Sequence, residues 1–406
     1  MKLICFDFWQ AKAKSELGRQ EMAVRLRLAF IQLGVTFIKL GQFLAVRRDV
    51  IPLELVSELA LLQDQVPPFA FAEAKAIVES ELDCQLDQCF AFFDQESIAS
   101  ASIGQVHRAG LKDGRVVAVK VQRSNLVKTV KQDLALMHFV LCLIKVVKPK
   151  SDWKSWSNLI DEFGRTLFVE MDYLQEGRNA SRLRNVLRPF PMIVIPRILW
   201  HYTTKFVITE EFCPGIKIDK LTLLSGIDLK RLAKCLVEAY LVQILEYGYF
   251  HADPHAGNLA ISTSGQLIIY DFGMMGYITG KQRIGLVKLI SSIAENKISV
   301  FVDSLADLGF ISANSTADKN YLQELIAPMW VRYHSPAGYE IDLSEVEREV
   351  DIFLLNRYFT LPPNLAYLIR MIVALEAIVR MLNPNLNFLR VAAPYFKKIR
   401  GQLRYN

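Results

Sequence analysis

The sequence has no hydrophobic run long enough to cross a membrane. Its longest apolar stretch is Leu134–Val147, interrupted by His138 and Lys145. That is about 14 residues, whereas a membrane-spanning helix needs about 20. The amino-terminal region has too short an apolar stretch for a secretory signal. We therefore expect an intracellular protein, cytoplasmic or peripherally membrane-associated, without a transmembrane span.

Cysteine is scarce, and its spacing argues against two kinds of site. The 406 residues include six cysteines, which form neither a CxxC pair nor a zinc-binding pattern. Most lie in apolar stretches, so we expect reduced thiols that fill space in a core. They are Cys5, Cys84, Cys89, Cys142, Cys213 and Cys235.

Excess charge of one sign is also limited. The formal net charge is +6, with 22% charged and 52% hydrophobic residues. This mild excess fits nucleotides or an acidic membrane surface, but no basic run is interleaved with aromatics, so nucleic acid is not an expected partner. Length and composition suit a folded protein of two or three lobes with a sizeable core.

Residues 249–273 read YFHADPHAGNLAISTSGQLIIYDFG and contain the densest group of chemically useful side chains. They open with the pattern H-x-D-x-x-x-x-N, formed by His251, Asp253 and Asn258. Two short apolar runs, separated by Ser, Thr and Gly, then predict a β-hairpin. Such a hairpin returns Asp271-Phe272-Gly273 to the Asn258 end.

This spacing suits phosphoryl chemistry. A magnesium ion that bridges phosphate oxygens prefers oxygen ligands, which Asp271 and Asn258 supply. Asp253 is placed to accept a proton from a hydroxyl or to orient a water. Solvated acids on a surface hairpin would be the plainer interpretation, but the complete set in order favours a metal–nucleotide site.

A second group of residues precedes it in the chain. The small residues of 97–107 lead to Asp113-Gly114, a hairpin turn, and then to a β-branched strand that contains Lys120. This order is typical of the front of a kinase nucleotide site, where the strand lysine holds the α- and β-phosphates. Because Gly104 is the only glycine of the small-residue loop, the loop should be stiffer than a glycine-rich one. The predicted nucleotide-binding residues are Ala99, Ser100, Ala101, Ser102, Ile103, Gly104, Val106 and Lys120, with Glu211 and Phe212 of an interlobe hinge.

The sequence pattern predicts helices at 71–82, 157–185, 229–247, 281–312, 318–332, 343–357 and 363–382, and strand character over 89–122. Acidic residues that could pair with a lysine occur on the helix at 157–185. Either Glu176 or Glu170 is the expected partner of Lys120, with Glu176 preferred, and the same acids could instead partner Lys39. Periodicity alone would favour a Lys39 that extends to solvent from a helix edge. A solvated acidic face is the plain alternative for this helix.

Together these motifs resemble the UbiB family of atypical kinases, also called aarF-domain-containing kinases, from about Leu28 to Tyr395. The matching elements are Lys39-Leu-Gly-Gln42, the alanine-rich loop Ala99–His107, Val117-Ala-Val-Lys120, Glu170-Met-Asp172 with Glu176, His251–Asn258 and Asp271-Phe-Gly273. Ala256 stands where the family usually has proline. No Ala-Pro-Glu follows Asp271-Phe272-Gly273, and no membrane-spanning pair follows Tyr395.

The resemblance implies an α+β, protein-kinase-like bilobal fold. We expect an N-terminal helical extension over residues 1–85, an N-lobe over 86–212 and a mainly helical C-lobe over 213–406. Lys39, Gln42, Glu170 and Asp172 would face each other and gate access to the active site, in place of a solvent-directed Lys39.

The implied function is that of an ATPase-like atypical kinase with ATP and Mg²⁺ as cofactors and Asp253 and Lys120 as catalytic residues. It would support isoprenoid quinone metabolism (ubiquinone or plastoquinone-like) or prenyl-lipid metabolism, with isoprenoid lipids or quinone-pathway proteins as partners. Alternatives are a kinase for a protein or small hydroxyl acceptor, and a nucleotide-switched, non-catalytic lipid-binding scaffold. The lysines and tryptophans of residues 148–156 could contact a membrane interface, although a solvated turn with partly buried rings is the more common form of such a stretch.

Overall fold

A computed structural model describes residues 16–45, 51–62, 67–147, 153–218, 220, 226–310, 316–333, 362–386, 391–392 and 394–396. The chain divides into two compact units. Unit 1 is drawn from Met1–Arg182, Ile195–Pro214 and Tyr270–Gly273, and unit 2 from Leu183–Val194, Gly215–Ile269 and Met274–Asn406.

The helices of the described residues are α1 Glu16–Leu33, α2 Val35–Ala45, α3 Leu53–Leu59, α4 Phe71–Leu82, α5 Leu86–Cys89, α6 Leu126–Val147, α7 Trp153–Glu170, α8 Tyr173–Val186, α9 Leu229–Leu241, α10 Gly280–Ala294, α11 Ile298–Leu308, α12 Thr316–Tyr333 and α13 Pro363–Leu382. The strands are β1 Phe90–Ser100, β2 Gly104–Leu111, β3 Val116–Gln122, β4 Ile193–Val194, β5 Val207–Glu211, β6 Ile216–Lys217, β7 Tyr249–His251, β8 Leu259–Ile261, β9 Leu267–Ile269 and β10 Met275–Tyr277. The predicted helix at 71–82 and strands within 89–122 are confirmed.

Unit 1 contains an antiparallel sheet in the order β1-β2-β3-β5. Alternation along β3 gives this sheet two different faces. Val117, Val119 and Val121 are fully buried in a core that includes Ala74 and Val78 of α4. The intervening residues, including Lys120, therefore point to the opposite face, which carries the candidate site.

The predicted helix over 157–185 is wrong as a single element. The chain forms α7 and α8 instead, separated at Met171-Asp172. Asp172 accepts a hydrogen bond from the backbone N–H of Gln175 at 3.1 Å, as an N-cap does. The amide of Gln122 donates to the carbonyl of Met171 at 2.8 Å and so fixes the break to β3. Asp172 and Glu176 consequently do not share the face of one continuous helix.

The predicted helix at 281–312 is also two helices, α10 and α11. A capping box of Thr279 and Gln282 begins α10, and Asn296 takes a left-handed φ of 54° in the link to α11. The predicted helices at 318–332 and 363–382 correspond to α12 and α13. The predicted helix at 343–357 lies outside the described residues.

Unit 2 contains a sheet in the order β4-β9-β8-β6 and a separate pair, β7 with β10. The predicted hairpin is the β8–β9 pair, in which Leu259 lies opposite Ile269. The predicted helix 229–247 is α9, continued by a wider π-helical turn over Val242–Tyr247. Pairing of His251 with Met275 across β7 and β10 was not predicted.

Two expectations about the cysteines were wrong. Cys84 and Cys89 form a disulfide rather than two separate thiols. Cys142 is exposed, and Cys213 and Cys235 are only partly buried, so none of these three is the core residue expected. Cys5 lies outside the described residues.

The long apolar helix α6 is more exposed than its composition predicts. Leu126 and Val130 are its buried residues, whereas Phe139 and Leu143 expose more than half of their surface. Among the described residues, no helix is both long and apolar enough to cross a bilayer.

Candidate functional site

Lys120 is the centre of an ionic cluster in unit 1. Its Nζ donates to both carboxylate oxygens of Glu176, at 2.8 and 3.0 Å, and lies 3.6 Å from Oδ2 of Asp271. Glu176 exposes 4% of its side chain, whereas Asp271 exposes 42%. The structure thus joins Lys120 to the preferred acid, Glu176, and leaves Asp271 accessible to a ligand.

The cluster keeps Lys120 charged. Burial alone would lower the pKa of its ammonium, but the carboxylates of Asp271 and Glu176 outweigh that effect and hold the pKa well above its usual value. Burial raises the pKa of Glu176, and Asp271 raises it further, while Lys120 opposes both. The cluster combines one buried ion pair with one exposed carboxylate, and the carboxylate of Asp271 can bind a cation.

Local structure brings these residues together. Glu176 lies in the first turn of α8, directly after the break that Asp172 caps. Asn179, one turn later, donates to the carbonyl of Phe272 at 2.9 Å and so holds the Asp271 segment against α8. The N–H of Gly273 donates to Oδ1 of Asp271 at 2.8 Å, which fixes that carboxylate's orientation.

The small-residue loop is shorter than predicted. Only residues 101–103 lie outside the strands, and the N–H of Ala101 donates to the carbonyl of Gly104 at 2.8 Å. Ala99 and Ser100 end β1, Gly104 begins β2, and Val106 lies opposite Lys120 in the sheet. Ile103 is buried.

Gly104 is required by packing. A Cβ at this position would collide with the carbonyl oxygen of Val121 and lie 2.5 Å from the hydroxyl of Tyr173. That hydroxyl and the hydroxyl of Ser102 are both buried, and neither makes a hydrogen bond within the described part of the chain. Burial raises the pKa of Tyr173. Two buried hydroxyls near the turn therefore keep unused hydrogen-bonding capacity.

The hinge residues lie as predicted at the end of β5, but their amides are occupied. The N–H of Glu211 donates to the carbonyl of Arg197 at 2.9 Å, and the N–H of Phe212 donates to the carbonyl of Val116 at 3.2 Å. These two amides are therefore not free to bind a nucleobase. Their neighbour Glu210 also has a perturbed carboxyl, which sequence reasoning did not single out.

Lys39 forms an ion pair with Glu170, with Nζ and Oε2 3.0 Å apart and only 14% and 12% of the side chains exposed. It does not extend to solvent as its periodicity alone suggested. Gln42 donates to the carbonyl of Leu62 at 3.1 Å. Of the four predicted gating residues, Lys39 and Glu170 form this ion pair, and Asp172 caps α8.

Unit 2 holds Asp253 in an ion pair that sequence reasoning missed. Nη2 of Arg370, on α13, donates to Oδ1 of Asp253 at 2.7 Å. Arg370 is 117 positions away in the chain, and its helix shows only an amphipathic pattern, so no local signal links the two residues. Nε2 of His255 lies 3.8 Å from the other oxygen of Asp253.

The rest of the catalytic-loop pattern is supported by buried polar groups of unit 2. The N–H of His251 donates to Oε1 of Gln243 at 2.9 Å, and the ring Nδ1 of His251 lies 3.2 Å from the hydroxyl of Tyr240. Asn258 ends a short 3₁₀ turn, and its N–H donates to the carbonyl of His255 at 2.9 Å. The turn forms with Ala256 in the position where proline was expected.

The donor set fits a metal held jointly with phosphates rather than a cage of protein ligands. Within the described ranges no group of three or more His, Cys, Asp or Glu side chains could hold a metal ion. Magnesium in nucleotide sites needs only one or two protein oxygens, because phosphates and waters complete its shell. The exposed Oδ2 of Asp271 meets that requirement, and Asn258 stays the predicted second ligand.

Comparison with known proteins identifies the family. A profile described as the ABC1 atypical kinase-like domain matches residues 61–303. The chain belongs to the ABC1 atypical kinase-like family. A chloroplastic protein of Arabidopsis thaliana, named ACTIVITY OF BC1 COMPLEX KINASE 7, is 37% identical over 97% of this chain and 56% of its own length. A probable protein kinase UbiB of Xylella fastidiosa is 32% identical over 96% of this chain and 71% of its own.

The structural comparison finds a solved protein with a similar fold. The complex of Rv3197 with erythromycin, from Mycobacterium tuberculosis, matches with a TM-score of 0.61 at 23% identity, over 84% of this chain and 87% of that one. The predicted family and the α+β, kinase-like fold are both confirmed. The chain spans only 54–66% of the length of three curated relatives that it matches.

Proposed function

We propose that this ABC1-family chain binds Mg-ATP and hydrolyses it in support of isoprenoid quinone or prenyl-lipid metabolism. The observation that carries the proposal is the Lys120 ammonium held between buried Glu176 and exposed Asp271. A charged lysine and a solvent-accessible carboxylate 3.6 Å apart offer one group for phosphate oxygens and one for their magnesium ion.

Each residue has a distinct role in this proposal. Lys120 binds the α- and β-phosphates, and Glu176 orients its ammonium. Asp271 and Asn258 bind the magnesium ion, which neutralises charge on the phosphate oxygens when bound. Asp253 orients the attacking water or accepts its proton, and Arg370 holds the Asp253 carboxylate in place.

Hydrolysis of ATP by the purified chain tests this function. We expect phosphate release that requires Mg²⁺ and is lost in Asp253→Asn, which keeps the shape of the side chain but removes its basicity. The exposed Glu96 of β1 provides a control, because Glu96→Gln removes the same charge elsewhere. Equal phosphate release by wild type and Asp253→Asn would contradict the hydrolytic role.

Phosphoryl transfer to a hydroxyl acceptor is a second candidate, favoured by relatives that carry the word kinase in their names. It predicts that label from γ-³²P-ATP appears on a protein or lipid acceptor and disappears in Asp253→Asn. Phosphate release without any labelled acceptor would favour hydrolysis instead.

The exposed face of α6 supports the expected contact with a membrane surface. We define the α6 stripe as Leu136, Phe139, Val140, Leu143 and Val147, whose spacing of three and four residues puts them on one side of the helix. Their exposed fractions run from 43% to 78%. Lys145 lies in the last turn of α6, and lysines follow at 148, 150 and 154. An apolar stripe beside cations suits an acidic bilayer surface.

Co-sedimentation with lipid vesicles tests the α6 stripe. Wild type should bind vesicles that contain phosphatidylserine more strongly than purely zwitterionic ones. The double change Phe139→Ser and Leu143→Ser should reduce binding, while Val331→Ser, at an exposed position of α12, should not. Unchanged vesicle binding by the double variant would contradict this role of the stripe.

A further inference from the structure

The carboxyl of Glu210 lies on the same sheet face as Lys120. Across β3 and β5, Glu210 is directly opposite Ala118, just as Ile208 is opposite Lys120. Directly opposite residues of an antiparallel pair point to the same face, as do residues two apart on one strand. The pair of Ala118 and Glu210 therefore lies next to the pair of Lys120 and Ile208 on this face, about 7 Å farther along the strands toward the hinge.

Ala118 puts only a methyl group beside this carboxyl. The residue opposite it on β2 is Arg108, so the row reads Arg108, Ala118, Glu210 across three strands. The guanidinium of Arg108 lies 5.7 Å from the ring centre of Phe212. Within this row, only the methyl group of Ala118 stands between Glu210 at one side and Arg108 at the other.

Glu210 has no structural partner that explains its position. Among the described residues its carboxyl makes neither a hydrogen bond nor an ion pair, although it is partly buried. The ionisable groups that act on it are Glu176 of α8, Lys120 of β3 and Asp271. A half-buried carboxyl without a partner costs stability, which favours a ligand-binding role.

The protonation state of this carboxyl follows from its surroundings. Burial, reinforced by the negative charge of Glu176, raises the pKa of Glu210 to about 8, although Lys120 opposes the shift. The neighbouring Tyr270 uses its hydroxyl to donate to the carbonyl of Cys213 at 2.8 Å. Near neutral pH the Glu210 carboxyl is therefore largely protonated and offers one acceptor and one donor.

We propose that Glu210 selects adenine over guanine in the nucleotide bound at Lys120, an inference that rests on the proposed function. One edge of adenine presents an amino donor beside a ring-nitrogen acceptor, whereas the same edge of guanine presents two acceptors. A neutral carboxyl complements the adenine pattern in the way that a glutamine amide does. When ionised, the carboxylate still accepts from the adenine amino group and repels both guanine acceptors.

Competition binding tests this assignment without relying on catalysis. A fluorescent ATP analogue is displaced from the full chain by ATP or GTP in the presence of Mg²⁺, and the ratio of the two Kd values is compared. Wild type should bind ATP about tenfold or more tightly than GTP, because a bidentate contact to a base discriminates by about that much. Glu210→Gln should keep that preference, and Glu210→Met should bring the ratio close to one. Glu96→Gln, an exposed change on β1, should resemble wild type.

The outcomes separate this inference from the function on which it rests. If wild type binds no nucleotide, both fail. If wild type binds ATP and Glu210→Met keeps the full preference, only the role of Glu210 is overturned. If Glu210→Gln loses the preference as completely as Glu210→Met, recognition by a donor–acceptor pair is wrong. Thermal unfolding of each variant verifies that it is folded, and the Gln variant remains a test should the Met variant not fold.

Discussion

At the scale of single residues, the site depends on charges that are held out of water and paired. Lys120 with Glu176 and Lys39 with Glu170 are two such pairs in the described part of unit 1. Removing one member of a buried pair leaves the other uncompensated, which costs more than the pair itself contributes. Replacing both members of a pair should therefore lower the free energy of unfolding by less than the sum of the two single replacements.

The pair of Lys39 and Glu170 provides the clearest case. Lys39→Met should lower the free energy of unfolding by about 3 kcal/mol, because Glu170 loses its partner while largely buried. Adding Glu170→Met should restore part of that loss. Urea unfolding of the two single variants and the double variant measures the coupling; simple additivity would contradict a buried pair.

Glu210 predicts a dependence of stability on pH. Its folded-state pKa of about 8 lies above the ordinary value of 4.5, so the folded protein resists ionisation and loses stability as pH rises between these values. Glu210→Gln cannot ionise. We therefore compare the free energy of unfolding of Glu210→Gln minus that of wild type at the two pH values. This difference should be higher at pH 8.5 than at pH 5, by on the order of 2 kcal/mol or more. Denaturant unfolding at both pH values measures the difference, and a difference that does not change with pH would contradict the shift.

At the scale of secondary structure, the break between α7 and α8 decides which acid meets which lysine. Glu170 ends α7 and pairs with Lys39, while Glu176 begins α8 and pairs with Lys120. The break lies between the two acids, where the sequence pattern predicted one continuous helix. The cap by Asp172 is therefore part of how the site is built.

Substitution of this cap has a defined expected cost. Asp172→Ala removes the acceptor of the Gln175 N–H and should lower the free energy of unfolding by about 1 kcal/mol. Asp172→Asn retains a capping oxygen and should cost less than half as much. Urea unfolding compares the two, and equal losses would show that the side chain has a role other than capping.

The sequence predicted local features of these elements better than their boundaries. The helix at 71–82 follows from its apolar periodicity, and the β8–β9 hairpin follows from two apolar runs around a polar turn. The break at Met171 was missed, because the hydrogen bond from Gln122 that stabilises it connects residues 49 positions apart. Arg370 was missed for the same reason: its contact with Asp253 is tertiary and leaves no local pattern.

At the scale of the whole molecule, residues far apart in the chain form one ionic cluster in unit 1. Lys120, Glu176 and Asp271 come from a strand, a helix and the segment after a hairpin. Motif spacing predicted this set and its family. Pairing of Lys120 with Glu176 rather than Glu170 required the structure, since both acids were compatible with the sequence.

Calorimetric titration of ATP into the full chain tests whether Lys120 and Asp271 together hold one Mg-nucleotide. We expect wild type to bind ATP at least tenfold more tightly with Mg²⁺ than without it. This ratio corresponds to a difference of about 1.4 kcal/mol or more in binding free energy. Asp271→Asn should lose the magnesium dependence, and Lys120→Met should weaken binding under both conditions. Equally weak binding of ATP by wild type and Asp271→Asn, with and without Mg²⁺, would contradict a Mg-nucleotide site at Lys120 and Asp271.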